Sequence, residues 1–111
     1  MIKISSINLT LQQIIGNDKL RLLHSRIGKK YVDGKMTDED ECVVYTVLQL
    51  GGDFDKFDVK VYDFDTAITE EEIVTSKEPL YVEFENAVCK LYIDRANQIQ
   101  VSIKADGITV L

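Results

Sequence analysis

The chain has 111 residues, 45% hydrophobic and 29% charged, with five Tyr and four Phe to fill a core. That composition excludes a disordered chain and fits one globular domain over residues 1–111. No apolar run reaches the roughly 20 residues that span a bilayer, and the opening MIKISSINLTL is too polar for a secretion signal. A soluble cytoplasmic protein without membrane contact is expected. The net charge of −6 argues, taken whole, against nucleic acid, yet the charge is unevenly spread. Residues 19–35 hold six of the thirteen cations, Lys19, Arg21, Arg26, Lys29, Lys30 and Lys35, against Asp33 alone. A basic arm is carried on an acidic body.

Taken in chain order, Ile2, Ile4, Ile7, Leu9 and Leu11 alternate across a phase slip at Ser5-Ser6, which predicts an extra N-terminal strand over residues 2–11. An exposed edge there gives a second copy a place to pair, so a homodimer is a candidate assembly. Residues 19–32 read as a long strand bent at Gly28, with Leu20, Leu22, His24 and Arg26 on one face and Arg21, Leu23, Ser25 and Ile27 on the other. Asp33-Gly34 is a turn signal and opens a polar loop over residues 33–41, after which residues 43–50 form the most buried strand. Gly51-Gly52-Asp53 turns the chain into an alternating strand over residues 57–62.

Residues 68–76 are the one helical candidate, with Thr69 as cap, Glu72 three residues on, and Ile68, Ile73 and Val74 as the apolar side. Pro79 ends it. Residues 80–94 form a long strand with Tyr81, Glu83 and Glu85 opposite Val82 and Phe84 and a phase change at Asn86. Arg95-Ala96-Asn97 makes a turn, Ile99, Val101 and Ile103 mark the last clear strand, and a short tail follows Asp106-Gly107. The fold class is mainly β. Strand, strand, strand, short helix, strand, strand is the order of a small OB-like barrel, five-stranded and Greek-key, to which the N-terminal strand is an addition. A β-sandwich or an SH3-like barrel can be written over the same strands.

Catalysis has little to work with. One His and two scattered Cys offer no nucleophile and base at a recognisable spacing, and the phosphate-loop, dinucleotide and zinc-protease motifs are missing from the sequence. No enzymatic activity, cofactor, metal or small-molecule substrate is expected. Cys42 and Cys89 each lie in an apolar stretch and read as buried free thiols. Asp53, Asp55, Asp58, Asp63 and Asp65 lack the glycine and closing glutamate of a calcium loop and read as solvated turns and strand.

The basic arm mixes cations with groups that stack, Arg21, Arg26, Lys29 and Lys30 followed by Tyr31. Single-stranded nucleic acid is bound by that combination: cations track the phosphates while rings and guanidinium planes take base faces. Tyr45 shares a strand face with Gln49, and Lys60 shares one with Tyr62, where an OB fold presents its binding surface. The expected interface is therefore Lys19, Arg21, Arg26, Lys29, Lys30, Lys35 and Lys60 on phosphates, with Tyr31, Tyr45 and Tyr62 on bases. The competing expectation is a β-barrel protein-interaction or structural module in which the acidic body repels nucleic acid and the arm docks an acidic partner.

Gly28-Lys29-Lys30-Tyr31, the polar stretch after it, Cys42-Val43-Val44-Tyr45 and the opening Met1-Ile2-Lys3 together resemble the filamentous-phage single-stranded DNA-binding proteins. The resemblance implies an OB-fold dimer that coats single-stranded DNA during replication or transfer of a mobile element, with Arg21, Arg26 and Tyr31 as contacts.

Overall fold

The computed structural model describes residues 8–11, 13, 19–51 and 55–111. The expected strand residues 2–7 and the turn at Gly52 and Asp53 lie outside them. The described residues form eight strands and one short helix, so the chain is mainly β.

β2 (Leu20–Val32) and β3 (Lys35–Gln49) make a long antiparallel hairpin. Its turn is Asp33-Gly34 alone, with φ of +51° and +77°, the double positive φ of a two-residue hairpin turn. The polar loop expected over residues 33–41 is thus only two residues long. Val32 pairs with Lys35 at once, and residues 35–41 are the first half of β3. They read as a loop because a strand that outruns the core has no face to keep apolar.

A bulge at Leu23 resets the phase of β2: Leu22 pairs with Val47, but His24 pairs with Thr46. Leu20, Leu22 and Ser25 consequently face the core, and Arg21, His24 and Arg26 point outward. The strict alternation expected from the sequence had instead put His24 and Arg26 with Leu20 and Leu22. A second irregularity follows Gly28. A Cβ at that position would lie 2.7 Å from Cys42 Sγ and 3.2 Å from Val44 Cγ2. Gly28→Ala is expected to cost about 1–3 kcal/mol by overpacking, and adding Cys42→Ala should restore part of that loss in a urea titration.

β4 (Lys56–Val61) lies antiparallel to β3, and the helix α1 (Glu70–Thr75) follows. Thr69 caps it, its hydroxyl accepting from Glu72 N at 3.2 Å, as expected. Val74 is exposed, so the apolar side is narrower than the sequence suggests: Ile68, just before the helix, is buried, and Ile73 packs on the core. β5 (Leu80–Glu85), β6 (Val88–Ile93), β7 (Ile99–Ala105) and β8 (Gly107–Val110) complete the order. β1 (Asn8–Thr10) pairs with β6.

The strand order is β1-β6-β7-β4-β3-β2-β5-β8, antiparallel throughout except for β4 with β7. Eight strands in a ladder that ends at β1 and β8 replace the closed five-stranded barrel expected. Two breaks account for the difference. Asn86, at φ +51°, divides the expected 80–94 strand, and Asp106 divides the last strand from its tail. β5 and β8 then pair on the outside of β2, while β6 and β7 pair on the outside of β4. Since only Asn86 and Ala87 join β5 to β6, and only Asp106 joins β7 to β8, the two ends of the sheet are drawn over a common core.

Val43, Tyr45, Val47, Val59, Val61 and Cys89 are the largest fully buried side chains of that core. Both cysteines are buried and free, and burial raises both thiol pKa values. The start of α1 is tied to β2 by polar bonds: Ser25 Oγ donates to Ile68 O at 2.6 Å, and Glu70 accepts from Ser25 N at 2.6 Å. His24 Nδ1 lies 3.0 Å from the other Glu70 oxygen, which can only accept, so Nδ1 is the donor. These bonds, His24 first and Ser25 N–H second, hold the Glu70 carboxyl below the usual glutamate range.

A carboxyl depressed by folding contributes stability above its unfolded value and loses that contribution as pH falls through its folded value. Wild type is therefore expected to be more stable than Glu70→Gln at neutral pH. Thermal melts should show the gap closing below the usual glutamate range, and a gap that persists in acid would contradict the assignment.

Candidate nucleic-acid interface

The outward face of the sheet is built by register. Arg26 on β2 pairs with Val44 on β3, Val44 with Lys60 on β4, and Lys60 with Lys104 on β7, so one row crosses four strands. The next row sets His24 beside Thr46 and Asp58. Three cations thus flank a buried valine, and the bulge at Leu23 is what turns Arg26 to this side.

β4 and β7 stay paired only at Lys60–Lys104 and Val61–Ala105. Beyond those positions the β6–β7 hairpin leaves β4, and a cleft opens between them. Its volume is about 430 Å³, and Arg26, Val44, Asp58, Lys60, Tyr92, Val101, Ser102 and Ile103 line it. β2 and β4 contribute Arg26, Asp58 and Lys60 to the lining, and β6 contributes Tyr92, which is 45% exposed. Val44, Val101 and Ile103 supply apolar surface.

Lys60 and Lys104 are like charges directly opposite each other, an arrangement that weakens a sheet. Among the described ion pairs, neither has a carboxylate. Lys104 Nζ instead lies 5.8 Å from the centre of the Tyr62 ring, within cation–π range. Tyr62 is 42% exposed, and desolvation is the main cause that raises its phenol pKa. Arg26 Nη2 is 3.7 Å from Asp58 Oδ2, and Thr46 Oγ1 donates to Asp58 Oδ1 at 2.6 Å.

The other expected contacts are scattered differently. Tyr45 is 0% exposed, and its hydroxyl accepts from Ile68 N at 2.9 Å. It is a core residue and cannot stack on a base, because its strand face is the one turned inward. Lys19 and Arg21 are exposed at the far end of β2. Arg21 lines a separate groove of about 260 Å³ with Leu23, Val74, Lys77 and Pro79. Lys29 is paired with Asp40 and lies 3.5 Å from Asp38 O. Lys30, Tyr31 and Lys35 are exposed near the hairpin tip, Tyr31 by 64%.

The hairpin also changes the meaning of the basic arm. Asp38, Glu39, Asp40 and Glu41 belong to β3, in the half that returns alongside residues 28–32. Of the cations near the tip, Lys29 has a carboxylate partner, Asp40, while Lys30 and Lys35 have none among the described ion pairs. Lys60 and Lys104 likewise have no carboxylate among the described ion pairs, and they are the two set side by side. Lys104 and Tyr92 were not among the residues expected from the sequence. The outward alternation of Lys104 between Ile103 and Ala105 was legible there, but its partnership with Lys60 arises only from a parallel pairing of distant segments.

Among the described residues, no cluster of three or more His, Cys, Asp or Glu is arranged to hold a metal ion, and no helix is long and apolar enough to cross a membrane. Asp63 is committed to its own turn, accepting from Thr66 Oγ1 at 2.8 Å and Asp65 N at 2.9 Å, and these bonds lower its carboxyl pKa. In comparisons with known proteins, no protein-family model, curated protein or solved structure matches this chain.

Proposed function

We propose that this chain binds single-stranded DNA without sequence preference, as a non-enzymatic OB-type protein serving replication or transfer of a mobile element. The observation that carries the reading is the cleft between the β2–β3–β4 face and the β6–β7 hairpin, which Arg26, Lys60 and Tyr92 line together. Cations beside an exposed ring suit a strand whose bases are unpaired, since phosphates and base faces are both available to it. A duplex hides its base faces.

Topology supports the same reading. With β5–β6 and β7–β8 each taken as one bent strand, the order becomes β4-β3-β2-β5/β6-β7/β8, with a parallel return to β4 and the helix between the third and fourth strands. Taken so, the order matches the Greek key of an OB fold, whose second and third strands and two flanking hairpin loops take oligonucleotides. Here those parts are β3, β4, the β2–β3 tip and the β6–β7 tip. Arg26, Lys60 and Lys104 serve the phosphates, and Tyr92, Tyr62 and Tyr31 the bases.

Fluorescence anisotropy of a labelled oligo-dT at two salt concentrations, with a duplex of equal length as control, tests this. Binding to the single strand that weakens with salt is the expected result. A second reading, a protein-interaction module, draws on the exposed Ile93 and Ile99 at the β6–β7 tip and on the acidic half of β3. Failure to bind either nucleic acid at low salt, with a defined oligomer by light scattering, would favour it.

A further inference from the structure

Asp58 stands in the row next to the cations that ought to receive a phosphate. It lies two residues from Lys60 on the same face of β4, and it lines the cleft together with Arg26. Thr46, its register partner on β3, donates to Oδ1 at 2.6 Å and so fixes the carboxylate in place. The second oxygen, Oδ2, is left 3.7 Å from Arg26 Nη2. Both members of this pair are more than half exposed, and an ion pair so open to water is weak and readily exchanged. A guanidinium can take a phosphate through two parallel hydrogen bonds, which a carboxylate 3.7 Å away does not match.

We propose that Asp58 is an internal competitor for the phosphodiester backbone at Arg26, a stand-in anion that an incoming strand displaces. The proposal rests on the single-strand reading above and adds a regulation of the same site. With Asp58 holding Arg26 while the cleft is empty, affinity is kept below what the cations alone would give, and bound strands exchange quickly. Thr46 is the positioning residue, because without its hydroxyl the carboxylate is free to turn toward solvent.

The test is a double-mutant cycle read by anisotropy on oligo-dT across a salt series, using wild type, Asp58→Asn, Arg26→Ala and the double variant. Asn keeps the shape and an oxygen for Thr46, and Asp58→Ala serves as a second replacement; thermal melts establish that each variant folds. Asp58→Asn is expected to bind about tenfold tighter, with a log–log salt slope steeper by about 0.7, the value of one further phosphate contact on a single strand. In the Arg26→Ala background most of that gain should vanish. Unchanged affinity in both Asp58 variants overturns the competitor role while leaving single-strand binding intact. An equal gain with and without Arg26 also overturns it, because Asp58 would then act by general repulsion. Absence of binding by wild type and Asp58→Asn alike, at low salt, overturns the functional reading itself.

Discussion

Lys60→Glu is expected to make the protein more stable and less able to bind. In the folded chain Lys60 faces Lys104 across a parallel pair, and reversing one charge turns a repulsion into an attraction. Opposite charges at such a position contribute about 0.2–1 kcal/mol, so the variant should melt slightly higher than wild type. On the proposed function the same change takes away a cation for the phosphates and places an anion in the cleft, which should weaken single-strand binding roughly tenfold or more and flatten the salt dependence by about one contact. Adding Lys104→Glu should lower affinity roughly a further tenfold. Opposite signs for stability and binding are the signature of a charge pair kept for a ligand, since local rules are broken chiefly where function requires it. Loss of stability together with unchanged binding would remove both lysines from the interface.

The three tyrosines Tyr45, Tyr62 and Tyr92 should separate just as sharply. Tyr45→Ala empties a fully buried site and is expected to cost about 3–5 kcal/mol, a large share of the stability of a domain this size. Tyr45→Phe keeps the ring but leaves Ile68 N–H without its buried acceptor, at a cost of about 1–3 kcal/mol. Tyr62→Ala and Tyr92→Ala act on half-exposed rings, so denaturant midpoints should move little. Their effect belongs in binding, where the loss of one base stack is worth about 1–3 kcal/mol. Urea titrations with constant m, beside anisotropy on the same samples, measure both columns. A stable Tyr45→Ala would contradict its place in the core.

The contrast between these tyrosines shows what could and could not be read from the chain. Period-two alternation located the strands around Tyr45, Tyr62, Tyr81 and Ile103, and the Thr69 cap located the helix, because these patterns arise from neighbours in sequence. Which face of β3 is inward depends on what covers it. Ile68, Val82 and Ile108 come from distant segments, so Tyr45 looked as available as Tyr62. The bulge at Leu23 has no marker residue, and it moved Arg26 and His24 to the opposite face. The acidic half of β3 was legible as solvated but not as paired. The run of cations in sequence thus hid the Asp40 partner of Lys29, while Lys60 was expected but its neighbour Lys104, far off in the chain, was missed.

Backbone amide shifts of the isotopically labelled protein, followed by NMR as oligo-dT is added, locate the bound strand residue by residue. The largest changes are expected at Arg26, Val44, Lys60, Tyr92, Ser102 and Lys104, with the groove beside Arg21 and Pro79 unaffected. Changes concentrated in that groove, or none at saturating oligonucleotide, would contradict a single strand seated between β4 and the β6–β7 hairpin.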